Sequence, residues 1–368
     1  MGVGEVPASD TADKRAAGHA KTAPRRVKPL LGLDVGADAV KMVEVRSGRG
    51  KRPAVARFAM APTPPGAVVD GQVADVRALA ACVRSLLRQG RFRTRRVVVG
   101  LSGSATVLRH VTFPTMTRAE LAEMLRWEAE KYLPIPRDEA QVDFAIVSQE
   151  PRAAVMTVML VGANRRVVEG YVDVLRAARL KPVAVETDSI AVARALRAGA
   201  ANLPDGGAEA GVDIGDSATK VTVVVKGVPQ LARTVGFGAG QLAGPDEGAP
   251  GSGEPGAAAP EAEATSRRLH AAAPALFAET RRSLEFFTSQ NRGLAFQRIA
   301  LFGGGAGVPG LAEAFAAALA GLPGPQGGPP AVAIFRPGVV AQRGGSVVEL
   351  GPEYVVAVGL ALRGRGLA

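Results

Sequence analysis

The chain of 368 residues has one cysteine, three histidines and one tryptophan, and aromatic side chains make up only 4% of it. A lone Cys82 excludes an internal disulfide, and His19, His110 and His270 lie too far apart for a histidine–cysteine metal centre. No apolar run reaches the roughly 18–20 residues that cross a bilayer, the longest being Tyr354 to Leu362. Basic residues near the N-terminus are not followed by an apolar stretch, so a secretory signal is not expected. These absences together predict a cytoplasmic protein.

Hydrophobic residues account for 47% of the chain and charged ones for 21%, enough apolar surface to build a core. The length suits two lobes rather than one. Net charge is +11, with one dense patch at Arg84, Arg88, Arg91, Arg93, Arg95 and Arg96. With so few aromatics to stack on bases, the patch favours a solvated helix end and loop, facing a partner or lipid, over a nucleic-acid groove.

Residues 1–28 are small, polar and mildly basic and predict a disordered tail; 29–205 predict a first lobe and 206–368 a second. Period-two alternation predicts a β-hairpin from Leu30–Gly36 and Val40–Val45. A helical stripe follows with Val73, Val76, Leu79, Val83 and Leu86, and then a strand at Val97–Leu101. Thr117 and Glu120 form a capping-box pattern, and Asn164 is placed to cap another helix. Strands are expected at Val142–Val147, Val155–Val161 and Val183–Glu186, with a crossing between lobes at 199–210. The segment 244–265 has five Gly, four Pro and five acidic residues and predicts a flexible acidic loop. A helix over 266–290, a strand at Ile299–Phe302, a helix opening at Pro309 and a closing helix over 354–363 complete the expectation.

One internal repeat carries the chemistry. Leu33-Asp34-Val35-Gly36 followed by Lys41 matches Val212-Asp213-Ile214-Gly215 followed by Thr219 and Lys220. An Asp at a strand end with Gly two residues on permits a tight turn whose N–H groups can meet a phosphate, while the Asp holds Mg²⁺ through water. Two such turns facing each other would clamp one nucleotide tail. Lys41 and Lys220 each suit either a phosphate contact or an exposed strand lysine. The run Gly303-Gly304-Gly305 after a strand leaves bare backbone where a flat base can lie.

These motifs, together with Tyr132-Leu133-Pro134-Ile135-Pro136, Glu186 to Ala195 and Arg282-Ser283-Leu284-Glu285-Phe286-Phe287, resemble the type IV pilus assembly PilM family, relatives of FtsA within the actin-like superfamily. The resemblance implies an α/β, actin-like (ribonuclease H-like) two-lobed fold with duplicated hairpin phosphate loops and a small inserted subdomain at about 93–164. It implies ATP and Mg²⁺ as cofactors, with Asp34, Gly36, Lys41, Asp213, Gly215, Thr219, Gly303, Gly304 and Gly305 around the nucleotide. Asp34 and Asp213 stand on the metal side, and Glu186 near the metal and its water. The implied partner is the cytoplasmic N-terminal segment of a PilN-like bitopic inner-membrane protein, with other pilus alignment-complex and motor components reached indirectly and membrane association only through partners. An active actin-like ATPase or small-molecule kinase, an FtsA-like protein and a type II secretion component are the alternatives. Against full activity, Ala37 stands where the family has Ser or Thr, and 244–265 replaces a helical region that reaches the adenosine. The expectation is at most a weak ATPase, at the inner face of the inner membrane.

Overall fold

A computed structural model describes residues 28–46, 53–101, 105–199, 207–243, 258–339, 341–343 and 346–364. The hairpin of β1 (Leu30–Val35) and β2 (Ala39–Arg46) continues antiparallel into β3 (Ala54–Pro62), and a small ribbon of β4 (Val68–Val69) and β5 (Gln72–Val73) leads to α1 (Val76–Gln89). Val73 therefore lies in a strand, not on the helical stripe, because Asp75 starts the helix by accepting from the N–H groups of Arg77 at 2.8 Å and Ala78 at 2.9 Å. Next come β6 (Arg96–Leu101) and a separate three-stranded layer. In that layer β7 (Thr106–Pro114) and β8 (Ala140–Glu150) flank β9 (Val155–Asn164), with α2 (Arg118–Glu128) on one side. The capping box of Thr117 and Glu120 is formed as expected, and so is the Asn164 cap of α3 (Arg165–Ala177). Then β10 (Lys181–Thr187) passes directly into α4 (Asp188–Gly199), where no helix was expected.

The second half opens with β11 (Ala208–Ile214), β12 (Thr219–Val225) and β13 (Val228–Val235), followed by α5 (Gly240–Ala243) and the long α6 (Ala258–Gln290). Residues 258–265 are thus helical rather than part of a loop: alanine and glutamate dominate there, and their helix propensity prevails over one proline. The rest of the expected acidic loop, 244–257, lies outside the described residues, as do 1–27. After β14 (Phe296–Phe302), α7 (Leu311–Leu319) begins two residues later than Pro309 suggested, since Gly310 takes the left-handed conformation at φ 79° and is the N-cap. β15 (Ala331–Ile334), β16 (Ala341–Arg343), β17 (Ser346–Val348) and α8 (Val355–Ala361) close the chain.

Strand order exposes the duplication. The first large sheet runs β10-β6-β1-β2-β3 and continues to β16 and β17; the second runs β15-β14-β11-β12-β13. In each, an antiparallel three-strand meander is joined to two parallel strands. The three-stranded layer interrupts the first copy between β6 and β10, where the second copy has only α7 between β14 and β15. Because β16 and β17 extend the first sheet and α8 covers β1 and β2, the end of the chain returns to the first lobe. The approach is close: a Cβ on Gly32 would lie 2.7 Å from the Ala361 nitrogen.

Candidate functional site

Both hairpins turn in the same way. The Gly36 N–H donates to the Ala39 carbonyl at 3.0 Å, and the Gly215 N–H to the Ala218 carbonyl at 3.0 Å. Among the described residues, the N–H groups of Ala37 and Asp38 and of Asp216 and Ser217 donate to no other backbone carbonyl, so each turn presents free donors at its tip. Thr63 braces the first turn, its hydroxyl donating to the Gly36 carbonyl at 2.7 Å. Ala239 and Gly240 brace the second, their N–H groups reaching the carbonyls of Gly215 and Asp216 at 2.8 and 2.9 Å.

Antiparallel register sets Asp34 opposite Lys41 and Asp213 opposite Lys220. The ion pairs follow, with Lys41 Nζ 3.6 Å from Asp34 Oδ2 and Lys220 Nζ 3.4 Å from Asp213 Oδ2. Neither lysine is an exposed strand side chain. The symmetry breaks at Lys220, whose ammonium also donates to Asp188 Oδ2 at 2.8 Å. Asp188 opens α4 and is buried, and its other oxygen, Oδ1, has no hydrogen-bond partner.

Electrostatics tie the two halves into one cleft. Burial raises the Asp213 carboxyl above its ordinary range and Asp34 adds to the rise, while Lys220 and Lys41 oppose it. Asp188 is pushed up to about 6, chiefly by burial, with Lys220 opposing and Asp34 and Asp213 contributing. Burial works against the charge on Lys220, yet Asp188, Asp213 and Asp34 hold its ammonium above the usual lysine range. At the hairpin tips Asp216 is raised by burial and by Asp38 across the cleft. A crevice lined by Thr187, Asp188, Asp213, Lys220, Thr222 and Thr234 opens beside the triad of Lys220, Asp188 and Asp213. Thr219 and Thr234 also bury hydroxyls without partners.

Gly303 stands behind Asp213 at φ 92°, and a Cβ there would collide with the Asp213 carboxylate and lie 2.6 Å from the Ile214 carbonyl. Gly305 packs against Ile214 and Ala239, while Gly304 is exposed with open space around it. The structure therefore gathers Asp34, Gly36, Lys41, Asp213, Gly215, Thr219 and the glycine run. Replacing Gly303 with alanine should displace Asp213 and cost about 1–3 kcal/mol from the left-handed backbone alone. A thermal melt indistinguishable from the parent would refute that packing.

Glu186 is not brought into this group. Its oxygens accept from Arg194 Nη2 and Nη1 at 2.9 and 3.0 Å and from Arg363, so its charge is spent on two guanidiniums. The acidic side chain that reaches the cleft from this connection is Asp188, two residues on. Its signal in the sequence was the Thr187-Asp188-Ser189 step, which resembles a helix start following an alternating strand. Among the described residues no three acidic, histidine or cysteine side chains converge tightly enough to hold a metal unaided. The set suits Mg²⁺ only when phosphate and water complete the shell, which is how this cation commonly binds. The free turn amides, Lys41 and the unpartnered Asp188 oxygen suit a phosphate–metal group in kind.

A hydroxyl chain leads from the cleft to the inserted layer: Thr187 Oγ1 lies 3.2 Å from Ser189 Oγ and 3.1 Å from Thr106 Oγ1 on β7. Farther along β7, His110 Nε2 meets the Pro229 carbonyl of the second lobe at 2.7 Å.

The model of the type IV pilus assembly protein PilM matches residues 32–245. A solved "PilM-PilN type IV pilus biogenesis complex" is 32% identical, with a TM-score of 0.73, over 92% of this chain and 99% of that one. The ethanolamine utilization protein EutJ from Carboxydothermus hydrogenoformans is 18% identical over 93% of this chain and 92% of that one, at a TM-score of 0.45. The fold is the two-lobed actin-like α/β fold that the family resemblance implied. With its family model covering more than half of its length, this chain belongs to the PilM family of type IV pilus assembly proteins.

Proposed function

We propose that this protein is a scaffold of the type IV pilus machine that captures the short cytoplasmic N-terminal segment of a PilN-like inner-membrane protein and so works at the inner face of that membrane. The observation that carries it is the 32% identity to the PilM–PilN complex across nearly the whole of both chains. The inserted layer is the proposed seat for the peptide. Its strand β8 is an edge, and such an edge offers unpaired backbone groups to an extended segment. The hydroxyl chain and the His110 contact give that layer a physical link to the cleft, through which cleft occupancy can bias peptide affinity.

ATP with Mg²⁺ is the proposed cleft ligand. Asp34 and Asp213 would face the metal through water, Lys41 and the two turn tips would face the phosphates, and Gly303 to Gly305 would back the adenosine. Bound there, Mg²⁺ supplies charge neutralisation for the phosphates. Binding should be weak. Ala37 lacks a hydroxyl, Lys220 is already spent on Asp188 and Asp213, and Asp38 and Asp216 set two carboxylates where the phosphates approach.

The test is calorimetric titration of the full chain with a synthetic peptide copying the N-terminal segment of the partner, repeated with and without ATP and Mg²⁺. Capture of the peptide is the expected result, with a change in affinity when nucleotide is present. No heat from the peptide would overturn the scaffold reading, and micromolar binding of ATP alone would overturn the weakened pocket.

A further inference from the structure

The strand ends remote from the cleft gather positive charge from distant parts of the sequence. Asp34 and Thr187 lie at the C-terminal ends of the parallel strands β1 and β10, so the N-terminal ends point away from the site. There the loop 91–95 is pinned at three points. The Lys181 N–H donates to the Arg95 carbonyl at 2.7 Å, the Thr94 hydroxyl to the Pro29 carbonyl at 3.2 Å, and the Arg93 N–H to Glu44 at 3.1 Å. Phe92 is buried while Arg91, Arg93 and Arg95 are exposed, so alternation throws three guanidiniums outward from a fixed backbone.

A second helix end repeats the construction. After α1, Arg91 takes a left-handed conformation at φ 49° and the buried Phe92 donates to Leu87 at 3.1 Å; after α3, Arg179 does so at φ 58° and the buried Leu180 donates to Leu175 at 2.9 Å. Glycine fills such a position without strain, and a long side chain there is unusual. Arginine occupies it twice, on two adjoining helices linked by Arg84 Nη1 of α1 donating to the Ala177 carbonyl at the end of α3 at 3.0 Å. Charge has been placed at this end against backbone preference.

Arg88, Arg91, Arg93, Arg95, Arg179 and Lys181 are all exposed, and among the described residues none has an acidic side chain within ion-pair distance. Glu44, an acidic residue at this end, is wholly buried and taken by Arg46 and Arg57, and Asp173 on α3 is paired with Arg176. Among the described residues, none of the large exposed apolar side chains, Met60, Val69, Trp127, Phe286 and Ile334, belongs to these segments. A protein partner would normally need an apolar centre to its interface, and single-stranded nucleic acid would need aromatic platforms. What remains is a partner held by charge alone over a broad face. Residues 1–27, which join the chain at this end through Lys28, add five basic and three acidic side chains in sequence.

We infer that these six side chains form an electrostatic docking surface for an anionic phospholipid bilayer, additional to any attachment through a protein partner, and that it turns the cleft-bearing side of the first lobe away from the lipid. Each such side chain near an anionic leaflet is worth about a fivefold change in affinity, an attraction that salt screens.

Co-sedimentation of the full chain with phosphatidylcholine vesicles containing one third phosphatidylglycerol tests this. The expected result is binding at low ionic strength, lost on raising salt and absent with phosphatidylcholine alone. The triple variant Arg91→Gln, Arg93→Gln, Arg95→Gln should weaken it about 100-fold, with an unchanged circular dichroism spectrum. Undiminished binding by that variant would assign the effect to residues 1–27 and overturn the surface. So would tighter binding to duplex DNA at the same phosphate concentration, or no binding to the anionic vesicles.

Discussion

Replacing Lys220 with methionine should lower stability by about 3–5 kcal/mol, because it keeps the aliphatic stem but removes a cation shared by two buried carboxylates. Lys220 Nζ is 2.8 Å from Asp188 and 3.4 Å from Asp213, and Asp34 adds a third negative charge to the same cleft. The pH dependence separates this cause from simple loss of packing. A buried carboxyl whose folded pKa is raised contributes stability that is complete below its unfolded pKa and is lost as pH rises through the folded value. For Asp188 in the parent that window runs from the ordinary aspartate value up to about 6. Lys220 opposes the rise, so without it the window must extend further upward. The variant should therefore regain stability between pH 8 and pH 5 more steeply than the parent. The raised pKa of Lys220 contributes stability that is lost only in alkaline solution, so it does not change sign in this range. Thermal unfolding of both proteins at the two pH values measures the difference. Adding Asp188→Asn to Lys220→Met should restore part of the loss by removing the unpaired charge. Equal melts at pH 8, or a deeper loss at pH 5, would show that the triad does not hold the cleft together.

The repeat of Asp, Gly and Lys was legible in the sequence because register is local: two residues facing across a four-residue turn are fixed by the alternation of the strands themselves. The capping box at Thr117 and the Asn164 cap were legible for the same reason. What was not legible depended on contacts far along the chain. Glu186 and Asp188 are both acidic and two residues apart, and nothing nearby says that Arg363, from the other end of the molecule, claims the first and leaves the second for the cleft. Nor does a three-residue strand such as β16 announce that it will extend the first sheet rather than the second. Residues 258–265 read as loop because glycine and proline dominate the preceding stretch, although the alanines and glutamates after it favour a helix.

Glu186→Gln is the variant that decides between the role its motif implies and the one its contacts support. Glu186 is only 6% exposed, and its carboxylate receives both arms of Arg194 and one from Arg363. Arg194 Nη1 also donates to the Gly359 carbonyl at 2.6 Å, so one carboxylate joins β10, α4 and the end of α8. The C-terminal helix in turn lies under the first hairpin, where Gly32 admits it without a side chain between them. An amide of the same shape keeps one acceptor but turns an N–H₂ toward a guanidinium and leaves two positive charges facing no anion. The loss should be about 3 kcal/mol, the lower end for breaking a buried pair, since Arg363 remains partly solvated. That corresponds to a fall of roughly 6–12 °C in the unfolding temperature of a domain of this size. Nucleotide affinity should stay within about twofold of the parent, because the partners of the Glu186 carboxylate are Arg194 and Arg363 rather than either hairpin, and sites without shared partners behave nearly independently. The opposite pattern, an unchanged melt with nucleotide response abolished, would return Glu186 to the metal and its water and would make the arginine contacts incidental. Both quantities come from one differential scanning experiment run with and without ATP and Mg²⁺, in which ligand binding raises the transition by mass action.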